Sequence, residues 1–228
     1  LHLSLRRQRQ MCIRDRPPSD PLDIIYEDAE FVIVNKPSGL LSVPGKGEYL
    51  SDCLFERLKR IFPDARLVHR LDRDTSGLII FALTKFSQRH LSLQFEKRQV
   101  RKSYLADVWG TVEEKKGVVK LPLIVDWPNR PMQHVDYDLG KEAITEWKVQ
   151  RYNKGSTRVK LSPKTGRSHQ LRVHMKEIGH PILGDPFYAN GEAANFSRLM
   201  LHAESLRFNH PNGGKGVQFK VVCPFRNL

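Results

Sequence analysis

His69-Arg70-Leu71-Asp72-Arg73-Asp74-Thr75-Ser76-Gly77 runs directly into Leu78-Ile79-Ile80-Phe81-Ala82-Leu83. The second string is apolar throughout and of strand length, so it reads as a strand buried on both faces. The first is the densest polar cluster of the chain. Loops at the end of a core strand are where a rigid scaffold holds reactive side chains. Working outward, the apolar stretches 24–26 and 31–34, split by Glu27-Asp28-Ala29-Glu30, read as a hairpin. Ser51 is placed to cap a helix in which Leu54, Leu58 and Ile61 fall at i, i+4 and i+7, and Pro63 stops it. A second helix is expected over about 85–99, with Leu91 and Phe95 at i, i+4. Strands follow over 104–109, 118–121, 143–152 and 157–161, and two more over 199–208 and 217–222. Arg158-Val159-Lys160-Leu161 alternates as a strand with one wet face should. A third helix over 167–178, ended by Gly179, sets Leu171, Met175 and Ile178 on one side and Arg172 and Lys176 on another. Strands outnumber helices and do not alternate with them, so the fold class is α+β, a mainly antiparallel mixed sheet flanked by helices and loops.

The chain has 228 residues, 39% hydrophobic and 28% charged, which fits a globular protein with a real core. No apolar run approaches the roughly 18 residues that span a bilayer. Cys12, Cys53 and Cys223 make neither a disulfide framework nor a zinc spacing, as expected of a reducing cytoplasm. The net charge of +13 points to a polyanionic partner, nucleic acid first, against a surface basic only for solubility. Residues 1–18 hold five arginines against one acid and lack an apolar signal core. A basic RNA-binding arm or an Arg-rich transit peptide fits that composition. Met11-Cys12-Ile13-Arg14-Asp15-Arg16 also looks like translated sequencing adapter, and 1–18 is set aside as a non-native or disordered tail. Residues 19–228 are expected to form one catalytic domain, and the remaining balance is still basic.

Phosphate-binding glycine loops, dinucleotide fingerprints, HExxH helices and serine elbows are absent. His169 and His174 are five apart and would not share a helix face for one ion, so no metal site is expected. In the polar cluster three readings compete. Asp72-x-Asp74 would suit a divalent metal in a transferase. Asp74-Thr75-Ser76-Gly77 misses the aspartic-protease pattern by one residue. The third reading is a single carboxylate, Asp72, between Arg70 and Arg73, whose positive charge favours the ionised form. An ionised carboxylate serves as nucleophile or electrostatic stabiliser. A surface salt bridge is the bland alternative.

The string from His69 to Gly77 resembles the H-R-L-D-x-x-T-S-G signature of RluA-type pseudouridine synthases. Val34-Asn35-Lys36-Pro37-Ser38-Gly39, Arg101-Lys102-Ser103-Tyr104-Leu105-Ala106 and Thr165-Gly166-Arg167-Ser168-His169-Gln170-Leu171-Arg172-Val173-His174 resemble further motifs of that family in the same order. His180-Pro181-Ile182-Leu183-Gly184-Asp185 and Leu201-His202-Ala203 follow. The resemblance implies that Asp72 is the catalytic carboxylate. It implies that Tyr104 sits against the uracil and helps move the C5 proton, and that Arg167 ion-pairs with Asp72. Arg70 would fill the space of the flipped base or contact the RNA backbone, with His69, Arg73 and Arg172 as further RNA-binding residues. Arg167 near a helix N-terminus also opposes the helix dipole, which suggests a partner elsewhere.

The family's chemistry turns uridine into pseudouridine without cofactor, so the missing nucleotide and metal motifs are expected. The target base must leave its stack first. Family members often carry an S4 RNA-binding domain, which is expected to be absent here. Leu121-Pro122-Leu123-Ile124-Val125-Asp126-Trp127-Pro128-Asn129-Arg130-Pro131 resembles a segment of the dual-specificity branch, which implies tRNA (anticodon-loop uridine 32) and 23S rRNA as substrates. On the residues alone this is a Pro-bounded loop anchored by Trp127. A monomer is expected. A non-catalytic RNA-binding module, a metal-dependent transferase and an added chaperone role are the other classes in view.

Overall fold

The structure, a computed structural model, describes residues 17–225 other than 46, 48 and 49. The tail reading of 1–18 therefore lies outside the described residues, save for Pro17 and Pro18. Pro18 O accepts a hydrogen bond from Arg57 Nη1 at 2.7 Å.

The first half forms β1 (Asp23–Glu27) and β2 (Phe31–Lys36), an antiparallel hairpin as the pattern implies. Helix α1 (Leu54–Lys59) is shorter than expected. Its N-cap is Cys53 rather than Ser51, with Sγ accepting from Glu56 N at 3.5 Å. Ile61 is 55% exposed, because the helix ends a turn before Pro63. Strands β3 (Arg66–Leu67) and β4 (Ser76–Ala82) follow, and every residue of β4 is buried. Helix α2 (Lys85–Glu96) is capped by Thr84, whose Oγ1 accepts from Ser87 N.

The second half supplies β5 (Arg101–Trp109), β6 (Lys116–Lys120), β7 (Leu123–Val125), β8 (Gln133–Val135), β9 (Ile144–Asn153) and β10 (Ser156–Pro163). Helix α3 (Gln170–Glu177), β11 (Leu201–Asn209) and β12 (Gly216–Lys220) complete the order. Among the described residues ten strands make one sheet in the order β1-β2-β4-β11-β5-β10-β9-β6, with β12 on β11 and β3 on β4. Of its strand pairings among those residues only β4–β11 is parallel. The α+β class and the mainly antiparallel mixed sheet are thus both observed. Among the described residues no helix is long and apolar enough to cross a membrane.

Two sequence readings fail locally. Arg158 does not face water; it is buried and forks onto Asp107, with Nε–Oδ1 at 2.7 Å and Nη2–Oδ2 at 2.6 Å. A strand register shift beside it turns the side chain inward. Nor does Trp127 anchor its loop. The segment folds as the separate β7–β8 hairpin, and Trp127 is 63% exposed with the Arg130 guanidinium 3.1 Å from its ring centre.

The sheet also decides what lies beside what. Parallel β4–β11 pairing sets Gly77 next to Ala203, and antiparallel β11–β5 pairing sets Ala203 next to Tyr104. Gly77, Ala203 and Tyr104 are therefore side by side on three adjacent strands. Gly77 is required there: its φ is +112°, and a Cβ would stand 2.3 Å from Ala203 O. The polar loop that feeds β4 is thereby delivered to Tyr104, where the cores of the two halves meet.

Candidate active site

The loop before β4 is moored from below. Ser42 Oγ donates to Leu71 O at 2.6 Å and accepts from Leu71 N at 3.1 Å. Ser38 Oγ donates to Asp74 O at 2.7 Å, and Gly39 N donates to Arg73 O at 2.9 Å. Lys36, 0% exposed, sends its Nζ to Pro37 O, Leu40 O and Arg73 O at 2.7–2.9 Å. Burial pushes this lysine down to about 7, while Asp74 and Asp72 pull it up. Three carbonyl acceptors call for three N–H donors, which only the ammonium provides. Lys36 thus holds the loop's backbone in place beneath Asp72. The sequence reading had given it no role.

Asp72 is half-buried, and its partner is Arg172, not Arg167. Arg172 Nη1 lies 3.5 Å from Asp72 Oδ2. The same guanidinium forks onto Asp185, with Nε–Oδ2 and Nη2–Oδ1 both at 2.7 Å. Asp185 is 0% and Arg172 2% exposed. Asp185 Oδ1 also accepts from Phe187 N and Tyr188 N. Burial alone would push the Arg172 guanidinium down; the Asp185 hydrogen bonds and charge outweigh it and hold it up. The Phe187 and Tyr188 rings lie 5.2 and 5.1 Å from its central carbon. Arg172 is therefore a fixed cation aimed at Asp72.

Arg167 stands apart because the helix begins at Gln170, not 167. Arg167 is in the exposed turn ahead of it, its Nε donating to Glu142 O at 3.0 Å. Gln170 ties that turn down, accepting from Thr165 Oγ1 and Arg167 N. The expected two-sided helix is also corrected: residues 170–175 are all buried, so Arg172 faces inward and away from solvent RNA.

Tyr104 is half-buried beside this pair. Burial first, and the Asp72 charge second, push its hydroxyl up, so it stays a neutral phenol. His69 is not turned to solvent as an RNA contact would be. Its Nε2 accepts from Ile80 N at 3.2 Å and its ring stacks on Phe95 at 4.6 Å. Arg70 is exposed, and Arg73 is partly exposed with its Nε 3.3 Å from Asp74 Oδ1. His169, in the left-handed region at φ 53°, shares a 2.7 Å hydrogen bond between its Nδ1 and Tyr188 Oη. Among the described residues no group of three or more His, Cys, Asp or Glu is placed to hold a metal ion.

The structure thus sets an arginine-clamped aspartate at the mouth of a core strand with a tyrosine alongside, the arginine being Arg172 where Arg167 was expected. Comparison with protein families gives the decisive match: residues 30–177 fit the RNA pseudouridylate synthase family.

The chain belongs to that family.

It is 54% identical over 204 residues to the dual-specificity RNA pseudouridine synthase RluA of Yersinia pestis, covering 89% of this chain and 99% of the relative. It is 53% identical over 212 residues to the protein of the same name from Escherichia coli K12, covering 92% and 97%. Among solved structures, human RNA pseudouridylate synthase domain containing 1 superposes with a TM-score of 0.75 at 30% identity, over 92% of this chain and 87% of that one. Asp185 ends the 180–185 string that resembles a family motif, but no spacing could show that it faces Arg172, 13 positions back on another element.

A half-buried histidine, His69, and a buried one, His202, couple this framework to pH. Burial, then the Lys102 charge, pushes His69 down to about 3. Burial, then Arg198, pushes His202 down to about 4; its Nδ1 is 2.9 Å from Ser76 Oγ. In the unfolded chain both rings titrate near 6.5. The stability they contribute is therefore complete above about pH 6.5 and is lost as pH falls toward 4 and then 3, where the unfolded state takes up protons first. The urea midpoint is expected to drop between pH 6.5 and 4, and His202→Asn to flatten that drop. An unchanged slope in the variant would refute the assignment.

Proposed function

We propose that this protein converts uridine to pseudouridine at a tRNA anticodon-loop site, uridine 32, and at a uridine of 23S rRNA, with Asp72 as the catalytic carboxylate. The observation that carries the reading is the Asp72 carboxylate, partly open to solvent, paired to a buried arginine that Asp185 holds in place. The two curated relatives above are both named dual-specificity enzymes, which supports two RNA substrates. The reaction breaks C1′–N1, forms C1′–C5 and releases the C5 proton; it needs neither an oxidant nor a group donor. Attack on C1′, attack on C6 and removal of the 2′ proton all start from the same ionised carboxylate. Tyr104, a neutral phenol, lies against the uracil and takes part in the C5 proton's departure through its hydroxyl. Arg70 and Arg73 contact the RNA around the extruded nucleotide. Every group named here comes from one chain, which suits a monomer. Cys53 and Cys223, both free, suit a reducing cytoplasm.

The test is tritium release from C5-labelled uridine in two RNAs, an anticodon stem-loop and a 23S rRNA hairpin, with EDTA present. Release from both is expected. Release from one alone would end the dual assignment. Release abolished by EDTA would favour a metal-dependent transferase, and none from either RNA would overturn the proposal.

A further inference from the structure

Antiparallel pairing of β5 with β11 puts Arg101 directly opposite Arg207. Both side chains are exposed, and among the described residues neither guanidinium has a hydrogen bond or an ion pair. Like charges directly opposed across two strands destabilise a sheet. Beside them lies a hollow of about 180 Å³ lined by Gln99, Arg101, Arg207, Phe208 and Asn209, with no carboxylate among them. Its frame is fixed by buried Gln94. Gln94 Nε2 donates to Asn209 O at 2.7 Å, Gln94 Oε1 accepts from Asn209 N at 2.8 Å, and Gln94 O accepts from Gln99 N at 2.9 Å. Two forked cations, two amide side chains and a rigid rim match the oxygens of a phosphate.

We propose that this hollow binds a phosphodiester of the substrate RNA away from the target uridine, an assignment that rests on the reading of the protein as an RNA-modifying enzyme. Side chains alternate along a strand, so Arg101 points to the opposite face of β5 from Lys102 and Tyr104. It lies about 10 Å upstream of Tyr104 at roughly 3.3 Å per residue. Lys102, next on the strand, occupies the other face, with its Nζ 5.9 Å from the Phe95 ring centre. The start of β5 therefore carries basic side chains on both faces, and a phosphate backbone that rounds this end of the strand can reach Arg101 and Arg207.

The experiment compares Arg101→Gln/Arg207→Gln with Lys116→Gln/Lys148→Gln. The second pair is also opposed across strands and exposed, but it is not among the residues lining this hollow. The probe is a fluorescein-labelled anticodon stem-loop RNA with an extended stem, titrated at several salt concentrations. The arginine pair is expected to lower affinity about tenfold at low salt and to make the salt slope shallower by about 1 to 1.5. Its single-turnover rate at saturating RNA should match wild type, and its thermal midpoint should be equal or slightly higher, since the opposed charges are gone. An unchanged slope overturns the proposal, and an equal change in the lysine pair overturns it too, because net charge then explains both. Inorganic phosphate separates the two sources of this chemistry: if it binds at the arginine pair while the RNA slope is unaffected, the RNA assignment fails. Binding is read apart from tritium release. A wild type that binds RNA through these arginines without isomerising it would sink the catalytic reading and leave this site standing.

Discussion

Asp72→Asn is expected to abolish pseudouridine formation while leaving the protein folded and bound to RNA. The change keeps the shape of the side chain and removes the charge that faces Arg172 Nη1 at 3.5 Å. An amide cannot supply the anionic oxygen that any of the three routes to the glycosidic bond requires. Losing such a group typically costs about 10⁴-fold or more in turnover, the residue of activity coming from binding alone. RNA affinity should remain within roughly tenfold, since phosphate contacts supply most of it. Asp72 is half-exposed, so little folding stability depends on it. Single-turnover tritium release and RNA binding are measured on the same preparation. A variant that still makes pseudouridine at a tenth of the wild-type rate would remove Asp72 from the mechanism.

Arg172→Met should damage both the fold and the chemistry, and a second change should separate the two. The guanidinium is bound on three of its nitrogens, two on Asp185 and one toward Asp72. Removing it leaves the Asp185 carboxylate buried without its counter-ion, which costs about 3–5 kcal/mol. For a chain of this size that is on the order of 10 °C in thermal midpoint. Arg172→Met/Asp185→Asn should regain most of that loss, because the amide is neutral and its oxygen still accepts from Phe187 N and Tyr188 N. Activity should stay about 10²–10³-fold down in the double variant, the scale expected when one preorganised electrostatic partner is lost. Arg172→Lys keeps a charge without the fork and should fall between. If the double variant regains stability and activity together, Arg172 supports only the fold. If Arg167→Met proves as damaging as Arg172→Met, the pairing seen here is not the one used in catalysis.

Local order was legible from the residues where a local rule governs it. The 24–26 and 31–34 hairpin, the buried strand after Gly77 and the places of the longer strands in the second half follow from periodicity and turn residues, while the wet face read at 158–161 did not hold. The first helix was legible in existence but not in its ends. Nothing in the sequence ranked a cysteine above Ser51 as its cap, and apolar Ile61 proved to be on the surface. Helix α3 misled for a related reason. From Gln170 to Met175 the helix is covered all round and only Lys176 and Glu177 at its end are exposed, so its polar residues cannot be sorted by periodicity.

The candidate site divides in the same way. The charge pattern singled out Asp72, and family resemblance alone added Tyr104 and implied that both serve one reaction. Pairing Asp72 with Arg167 failed, because both arginines lie in one motif, and which of them points inward depends on where the helix starts. That start is set by Gln170 Nε2 on Ile144 O and Thr145 Oγ1, 26 and 25 positions away. Lys36 and Asp185 stayed hidden because their partners are carbonyls and a guanidinium that only the folded chain brings near.

The sequence by itself determined the strand-rich class, the basic surface, the family and the two residues proposed for the reaction centre; the first two rest on composition and short-range periodicity, the others on contiguous motifs. Tertiary structure alone decided which cation faces Asp72, what moors its loop, and that Arg101 meets Arg207 across two strands. Those are contacts between groups far apart in sequence. They exist because the pairing of β11 with β4 and β5 sets Gly77 beside Ala203 and Tyr104 and Arg101 opposite Arg207, and because burial makes Lys36, Arg172 and Asp185 each find a partner.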